Sequence, residues 1–180
     1  FDRFFDEQLH RLRTDHIDYY LMHNITSPAQ WERVAALGIE DWIAHQKAAG
    51  RIRQIGFSYH GSAADFLTML DAYDWDFCQI QYNYAQHDIQ AGTRGLQYAH
   101  SKGIGVSIME PLFGGFLTGP QMPPGANQLF EENGVNPVAS ALRWVWNQPE
   151  PAVVLSGMNE KYQVKENLRI VETADVGVLT

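Results

Sequence analysis

The segment RIRQIGFSYHGSAADFLTMLDAYDWDFCQIQY, residues 51–82, decides the fold. Its opening, Arg51-Ile52-Arg53-Gln54-Ile55-Gly56-Phe57-Ser58, has the length and apolar content of a strand. Ser62 can cap a helix that runs through Tyr73. Phe77-Cys78-Gln79-Ile80-Gln81-Tyr82 then reads as a second strand. Strand, helix, strand in this order calls for a parallel pair with the helix packed outside the sheet.

The pattern extends in both directions. Upstream lies a helix over 28–49, interrupted near Gly38 and ending at Gly50. Before it, Ile17-Asp18-Tyr19-Tyr20-Leu21-Met22-His23 suits a strand buried on both faces, with the histidine as its last residue. Phe1, Phe4, Phe5, Leu9 and Leu12 recur at helical spacing. No capping residue precedes Phe1, so the reading expects the chain to continue upstream as part of a longer protein. Downstream, a helix over 91–102 stops at Gly103 and gives way to the strand Gly105-Val106-Ser107-Ile108-Met109. A long Gly/Pro-rich loop over 111–135 follows, then a helix over 137–147, the strand Ala152-Val153-Val154-Leu155 and a last helix over 159–172. One helix and five βα units admit two architectures, a closed (β/α)8 barrel and an open doubly wound sheet. The second usually shows Gly-x-Gly-x-x-Gly after its first strand, and none is present. Five strands cannot close an eight-stranded barrel, which again expects more chain upstream.

At 180 residues, 45% of them hydrophobic and 12% aromatic, the chain has the makings of one globular domain, 1–180. Its longest apolar runs fall far short of the roughly 20 residues that a membrane span needs. The N-terminus is unlike a signal peptide, so a cytoplasmic location is expected. Cys78 is the only cysteine. A disulfide, a cysteine-bound metal or an iron–sulfur cluster is therefore not expected within these residues, and redox chemistry would come from something bound. The net charge is −8 and lysines and arginines do not cluster, so nucleic acid is not an expected partner.

In a parallel barrel the C-terminal strand ends converge on one face, where catalysis and binding take place. At each of those ends in turn, over essentially all 180 residues, the sequence resembles the aldo/keto reductase family. The opening Phe5-Asp6-Glu7-Gln8-Leu9 through Asp18-Tyr19-Tyr20-Leu21-Met22-His23 is similar to the family's third helix and fourth strand. The resemblance implies a (β/α)8 TIM barrel of which strands 4 to 8 and their helices are present. It places His23 as a member of a catalytic tetrad with Asp, Tyr and Lys. An imidazole there can hydrogen-bond a substrate carbonyl and align it for hydride attack. Taken without the resemblance, His23 reads sooner as a histidine that ends a strand and caps the core than as a catalytic one.

Gly56-Phe57-Ser58-Tyr59-His60 is similar to the family's Gly-Val-Ser-Asn-Phe, and Gln79 to the glutamine of its Asn-Gln-Val-Glu strand. Both Ser58 and Gln79 are implied partners of a nicotinamide carboxamide, while Tyr59 stands where Asn is usual. Met109-Glu110-Pro111-Leu112-Phe113-Gly114-Gly115 resembles the seventh strand end. Met109 takes the place of an aromatic that packs on the nicotinamide ring. Pro111 lies in the following turn, and the amides of Leu112 and Gly114 are implied pyrophosphate donors. Ser156-Gly157-Met158-Asn159 through Glu166-Asn167-Leu168 resembles the family's Pro-Gly-x-x-x-x-x-Gln-x-x-Glu-Asn. This implies phosphate binding by the amides of Gly157, Met158 and Asn159 at a helix N-terminus. Gln163, Glu166 and Asn167 share a helical face toward adenine.

The resemblance implies an NAD(P)H-dependent oxidoreductase that moves hydride between nicotinamide and an aldehyde or ketone. Gly157 and Gln163 occupy two positions where NADPH-specific members often carry Lys or Arg, with Lys161 as a candidate substitute, so NADP and NAD both stay open. The tetrad's Asp, Tyr and Lys have no counterpart in these residues, and the 180 residues alone are expected to be inactive. The alternative is a nucleotide-sensing or regulatory barrel with little turnover. The variant motifs resemble most the reductases that carry a ferredoxin-like cysteine tail, which would place a 4Fe-4S cluster only beyond Thr180. A small carbonyl substrate, no membrane, and self-association through an open barrel edge complete the expectations.

Overall fold

The structure is a computed structural model describing residues 1–119 and 121–179. Its strands are β1 (Ile17–Ile25), β2 (Ile52–Tyr59), β3 (Phe77–Gln81), β4 (Gly105–Met109) and β5 (Pro151–Val154). Around them run α1 (Asp2–Leu12), α2 (Pro28–Ala35), α3 (Ile39–Ala48), α4 (Ala63–Asp71), α5 (Gly92–Ser101), α6 (Pro124–Glu132), α7 (Pro137–Trp146) and α8 (Lys161–Val171). Every neighbouring pair of strands is parallel, and their order in the sheet is their order in the sequence. A doubly wound sheet reverses its order at a switch point, whereas a barrel adds each strand beside the last. The topology therefore selects the barrel, of which these are five consecutive βα units.

Local chemistry sets the helix starts. The Ser27, Ser62 and Asn136 side chains accept from the amides of Gln30, Asp65 and Ala139 at 3.3, 3.1 and 3.0 Å. Pro28 and Pro137 follow two of these caps, where the missing N–H costs nothing. Between α2 and α3 the chain reverses at Gly38, with φ 82°.

One face of the sheet is dry. Ile55, Phe57, Tyr59, Cys78, Ile80, Tyr82, Val106 and Ile108 alternate along β2–β4 and into the β3 exit, all buried in a single core. Phe57 meets the Trp75 ring at 4.8 Å and that of Phe66 on α4 at 5.9 Å. The thiol of Cys78 lies inside this core, and burial pushes its pKa up to about 12. The intervening residues Gln54, Gln79, Ser107 and Met109 are half-buried on the opposite face. At Gly56 the Phe77 chain passes so close that an added Cβ would lie 2.5 Å from its carbonyl oxygen and 2.7 Å from its ring.

Three expectations need correction. Among the described residues β1 is the edge strand of the sheet, pairing with β2 alone, and for that reason it is not covered on both faces: Tyr19 is 68% exposed. Nor does it end at His23, since the strand runs on to Ile25 after a register shift. The loop over 111–135 holds a 3₁₀ turn at Phe113–Gly115 and the helix α6. Pro124 at the first position and a short, mostly polar sequence hide that helix from a periodicity search.

Candidate functional site

The parallel order carries the C-terminal ends of all five strands to one side. Ser58 and Gln79 are register partners across β2 and β3, and Gln81 pairs with Met109 across β3 and β4. Gln79 Nε2 sits 3.5 Å from Met109 Sδ. Ser58 is buried, and its Oγ accepts from the Asn24 N–H at 2.7 Å. That bond ties the end of β2 to the residue after His23 and leaves the serine's own proton to donate. Asn24 adopts a left-handed φ of 57° inside the register shift, the kind of local irregularity that re-aims a strand-end side chain. His23 is exposed beside it.

Tyr59, standing where Asn is usual, points the other way. Its ring is buried against Phe66 at 4.9 Å, and its hydroxyl donates to the Ser62 carbonyl at 2.8 Å. Burial raises its pKa from 10.0 to about 12. Its work is to pin the β2–α4 turn.

Beyond β4 the backbone is turned by left-handed residues, Glu110 at φ 55°, Phe113 at 49° and Gly114 at 60°. The first two are not glycines, and such conformations cost of order 1–2 kcal/mol each unless the surroundings impose them. One imposing group is Asn83, fully buried, whose Nδ2 donates to the Glu110 carbonyl at 3.1 Å and whose Oδ1 accepts from the Ala85 N–H at 3.2 Å. The Tyr82 amide holds the Met109 carbonyl at 3.2 Å. The Glu110 side chain is exposed.

The segment Glu110–Gly115 faces the turn after β5 across a cleft of about 450 Å³, whose walls include Pro111, Leu112, Gly114, Gly157, Asn159 and Gln163. An adjoining hollow of about 230 Å³ adds Met158, Glu166 and Asn167 to the shared Leu112, Gly157 and Gln163. All the residues that the resemblance assigned to pyrophosphate and adenosine thus lie in the walls of these two adjoining hollows. His23, Ser58, Gln79 and Met109 form a separate group at the ends of β1–β4. A wider depression of about 810 Å³ beside Leu9, His10, Arg13 and Asp15 opens just before β1, at the opposite end of the strands, and has no part in this arrangement.

The amides around the two hollows are not all available. The Asn159 and Glu160 N–H groups donate to Gln163 Oε1 at 2.9 and 3.0 Å, forming a capping box, and the Met158 N–H donates to the Ser156 carbonyl at 3.0 Å. Of the three amides expected to meet phosphate, only that of Gly157 donates to no acceptor among the described residues. No atom lies within 4 Å of where a Cβ on Gly157 would stand, so a ligand can approach that backbone directly. Glu166 accepts from Asn136 Nδ2 at 2.7 Å, and Asn167 donates to Ser156 Oγ at 3.0 Å. Lys161 lines neither hollow.

Sequence reasoning missed Asn83 and an amide chain next to it. Buried Gln81 donates to Gln86 and accepts from Gln90 Nε2 at 3.1 Å, and Gln90 Oε1 lies 3.1 Å from His60 Nδ1. The signal was a polar residue at every second position, Gln79 then Gln81, running out of a strand.

Residues 1–175 match the aldo/keto reductase family, and the chain belongs to it. It is 25% identical to the uncharacterized oxidoreductase YrpG of Bacillus subtilis (strain 168), over 94% of this chain and 58% of that protein. Two solved structures share the fold. The aldo-keto reductase AKR11C1 from Bacillus halodurans, in its holo form, superimposes with a TM-score of 0.73 and 21% identity over 97% of this chain and 59% of that one. The putative aldo-keto reductase PA4992 from Pseudomonas aeruginosa gives 0.68 and 20%, over 94% and 55%. The chain therefore spans little more than half the length of these relatives. None of its described helices is long and apolar enough to cross a membrane.

Proposed function

We propose that this chain forms the nicotinamide-nucleotide side of an oxidoreductase that moves hydride between NAD(P)H and an aldehyde or ketone, or from the alcohol in reverse. One observation carries the reading: the loop after β4 and the turn after β5 border two adjoining hollows lined by the residues that the family resemblance assigns to pyrophosphate and adenosine. The open space over Gly157 and the free amides of Gly157 and Leu112 fit a phosphate group. The holo form of the Bacillus halodurans relative supports a bound cofactor.

When bound, the nicotinamide supplies or accepts the hydride. Ser58, whose hydroxyl proton is not used by its bond to Asn24, would donate to the carboxamide, and Gln79 would offer both a donor and an acceptor to the same group. Met109 would pack its thioether against the ring and so limit which of its faces is open. Gln163, through the Nε2 that its capping bonds leave free, would take the adenosine end together with Glu166 and Asn167, and His23 would align the substrate carbonyl. NADP and NAD both fit this description. The lack of Lys or Arg at Gly157 and Gln163 weakens the usual preference for the 2′-phosphate.

Titration of the full-length protein with NADPH and NADH tests the proposal through tryptophan emission, since Trp144 packs on Tyr82 and Tyr84 near the β3 exit. Saturable quenching by at least one of them is expected. Unchanged emission with both rules out the cofactor assignment.

A further inference from the structure

Outside the sheet, α7 and α8 lie side by side, and the groove between them, about 660 Å³, is lined by Arg143 from α7 and by Lys165 and Arg169 from α8. None of the three is ion-paired among the described residues. Lys165 and Arg169 stand at i and i+4, where like charges repel along a helix. Arg143 Nη2 donates to Thr173 Oγ1 at 2.7 Å, while its Nε is shut away from solvent with no acceptor among the described residues. A buried donor without a partner is costly and calls for an explanation. The groove's one carboxylate, Glu166, is held at its end by Asn136 at 2.7 Å. On a chain of net charge −8, the lining of this groove carries three cations against one carboxylate.

We propose that the α7–α8 groove is a binding site for a phosphate-type oxyanion, either free phosphate or the phosphate group of a small metabolite. The exposed Arg169 guanidinium offers a planar fork for oxyanion recognition, Lys165 adds a mobile point charge, and Arg143, held by Thr173, adds positive charge to the wall. An anion here relieves the Lys165–Arg169 repulsion. The site is separate from the nucleotide hollows, although Tyr162 and Glu166 form a wall shared with the smaller of them.

The test is calorimetric titration of the full-length protein with inorganic phosphate in phosphate- and sulfate-free buffer, beside the double variant Lys165→Ala/Arg169→Ala. Both side chains are exposed, so the variant keeps its fold, and its melting temperature verifies this. The expected result is saturable 1:1 binding that weakens at least tenfold in the double variant and falls with added chloride. Non-saturable uptake, or an unchanged affinity in a folded double variant, overturns the proposal. Adding 2′,5′-ADP separates the sources: competition with phosphate assigns a nucleotide-borne phosphate, and its absence assigns free phosphate. Phosphate binding without quenching by NAD(P)H would reject the nucleotide reading and leave this site standing.

Discussion

The β2–α4–β3 unit and the β5–α8 unit share one plan and put it to opposite uses. In the first, Ile55, Phe57, Tyr59, Phe66, Cys78 and Ile80 have no exposed surface at all. In the second, Ala152 and Val153 of β5 and Leu168 of α8 are exposed, while glutamine, asparagine and glutamate tips gather around open hollows. The middle unit has a strand on either side, whereas β5 is the last strand of the sheet described and pairs with β4 alone, so part of its exposure follows from that edge position. Stability and ligand binding should therefore separate along the chain, and substitutions in the two units are the way to challenge that.

The largest effect is expected at Phe57. Truncation to alanine removes a fully buried ring that meets those of Tyr59, Phe66 and Trp75, and should cost about 3–5 kcal/mol. Leu168→Ala in α8, on a side chain 57% exposed, should change stability by less than about 0.5 kcal/mol. Urea denaturation of the two variants beside the parent gives both numbers. Similar losses would mean that the last unit is as integral to the core as the middle one.

Two glycines sharpen the contrast. Gly56→Ala drives a methyl group into the Phe77 backbone and ring, and a cost of about 1–3 kcal/mol is expected. Gly157→Ala meets open space, so its melting temperature should match the parent's while nucleotide affinity falls. A destabilised Gly157→Ala protein would show that the turn after β5 is shaped by packing and not by a ligand.

Much of this was legible from residues alone, and what was not has identifiable causes. The βα alternation, the caps at Ser62 and Gly103, and the break near Gly38 follow from short-range rules of turn and helix chemistry. Strand order does not, because nothing local states which strand lies beside which. The resemblance at the strand ends supplied the barrel, and the parallel ladder then showed it. Tyr59 was legible as an anomaly and not as a solution, because its hydroxyl's partner, Ser62, is visible only once the turn closes. The capping box at α8 lies in plain sight as Glu160 and Gln163, yet the same residues match a nucleotide motif. Only the structure shows the carboxamide already engaged with Asn159 and Glu160.

A smaller effect is expected from Tyr59→Phe. Loss of the hydrogen bond to Ser62 should cost about 0.5–1.5 kcal/mol. The pH dependence has a definite sign. The folded pKa is raised from 10.0 to about 12, so the folded state holds this proton more tightly than the unfolded chain does. Its contribution is complete below pH 10 and is lost as pH rises toward 12. Stability of the parent should drop over that window more steeply than that of Tyr59→Phe. Parallel curves would remove the buried phenol from the account.

A change in stability no larger than that of Leu168→Ala is expected at the residue given the largest chemical role. His23 can be a core histidine or a catalytic one, and the two readings differ in what alanine does. A buried, hydrogen-bonded imidazole would cost roughly 1–3 kcal/mol to remove, with activity lost only through unfolding. The structure makes His23 exposed at a strand irregularity, with no hydrogen bond from its ring to any described residue. His23→Ala should therefore stay within about 0.5 kcal/mol of the parent. If the imidazole aligns the carbonyl as proposed, turnover by the full-length protein falls while NADPH affinity holds, each tenfold loss corresponding to about 1.4 kcal/mol of transition-state stabilisation. Melting temperature, NADPH affinity and turnover measured on one preparation distinguish the cases. A folded His23→Ala protein with undiminished turnover takes the histidine out of the mechanism, and a strongly destabilised one returns it to the core.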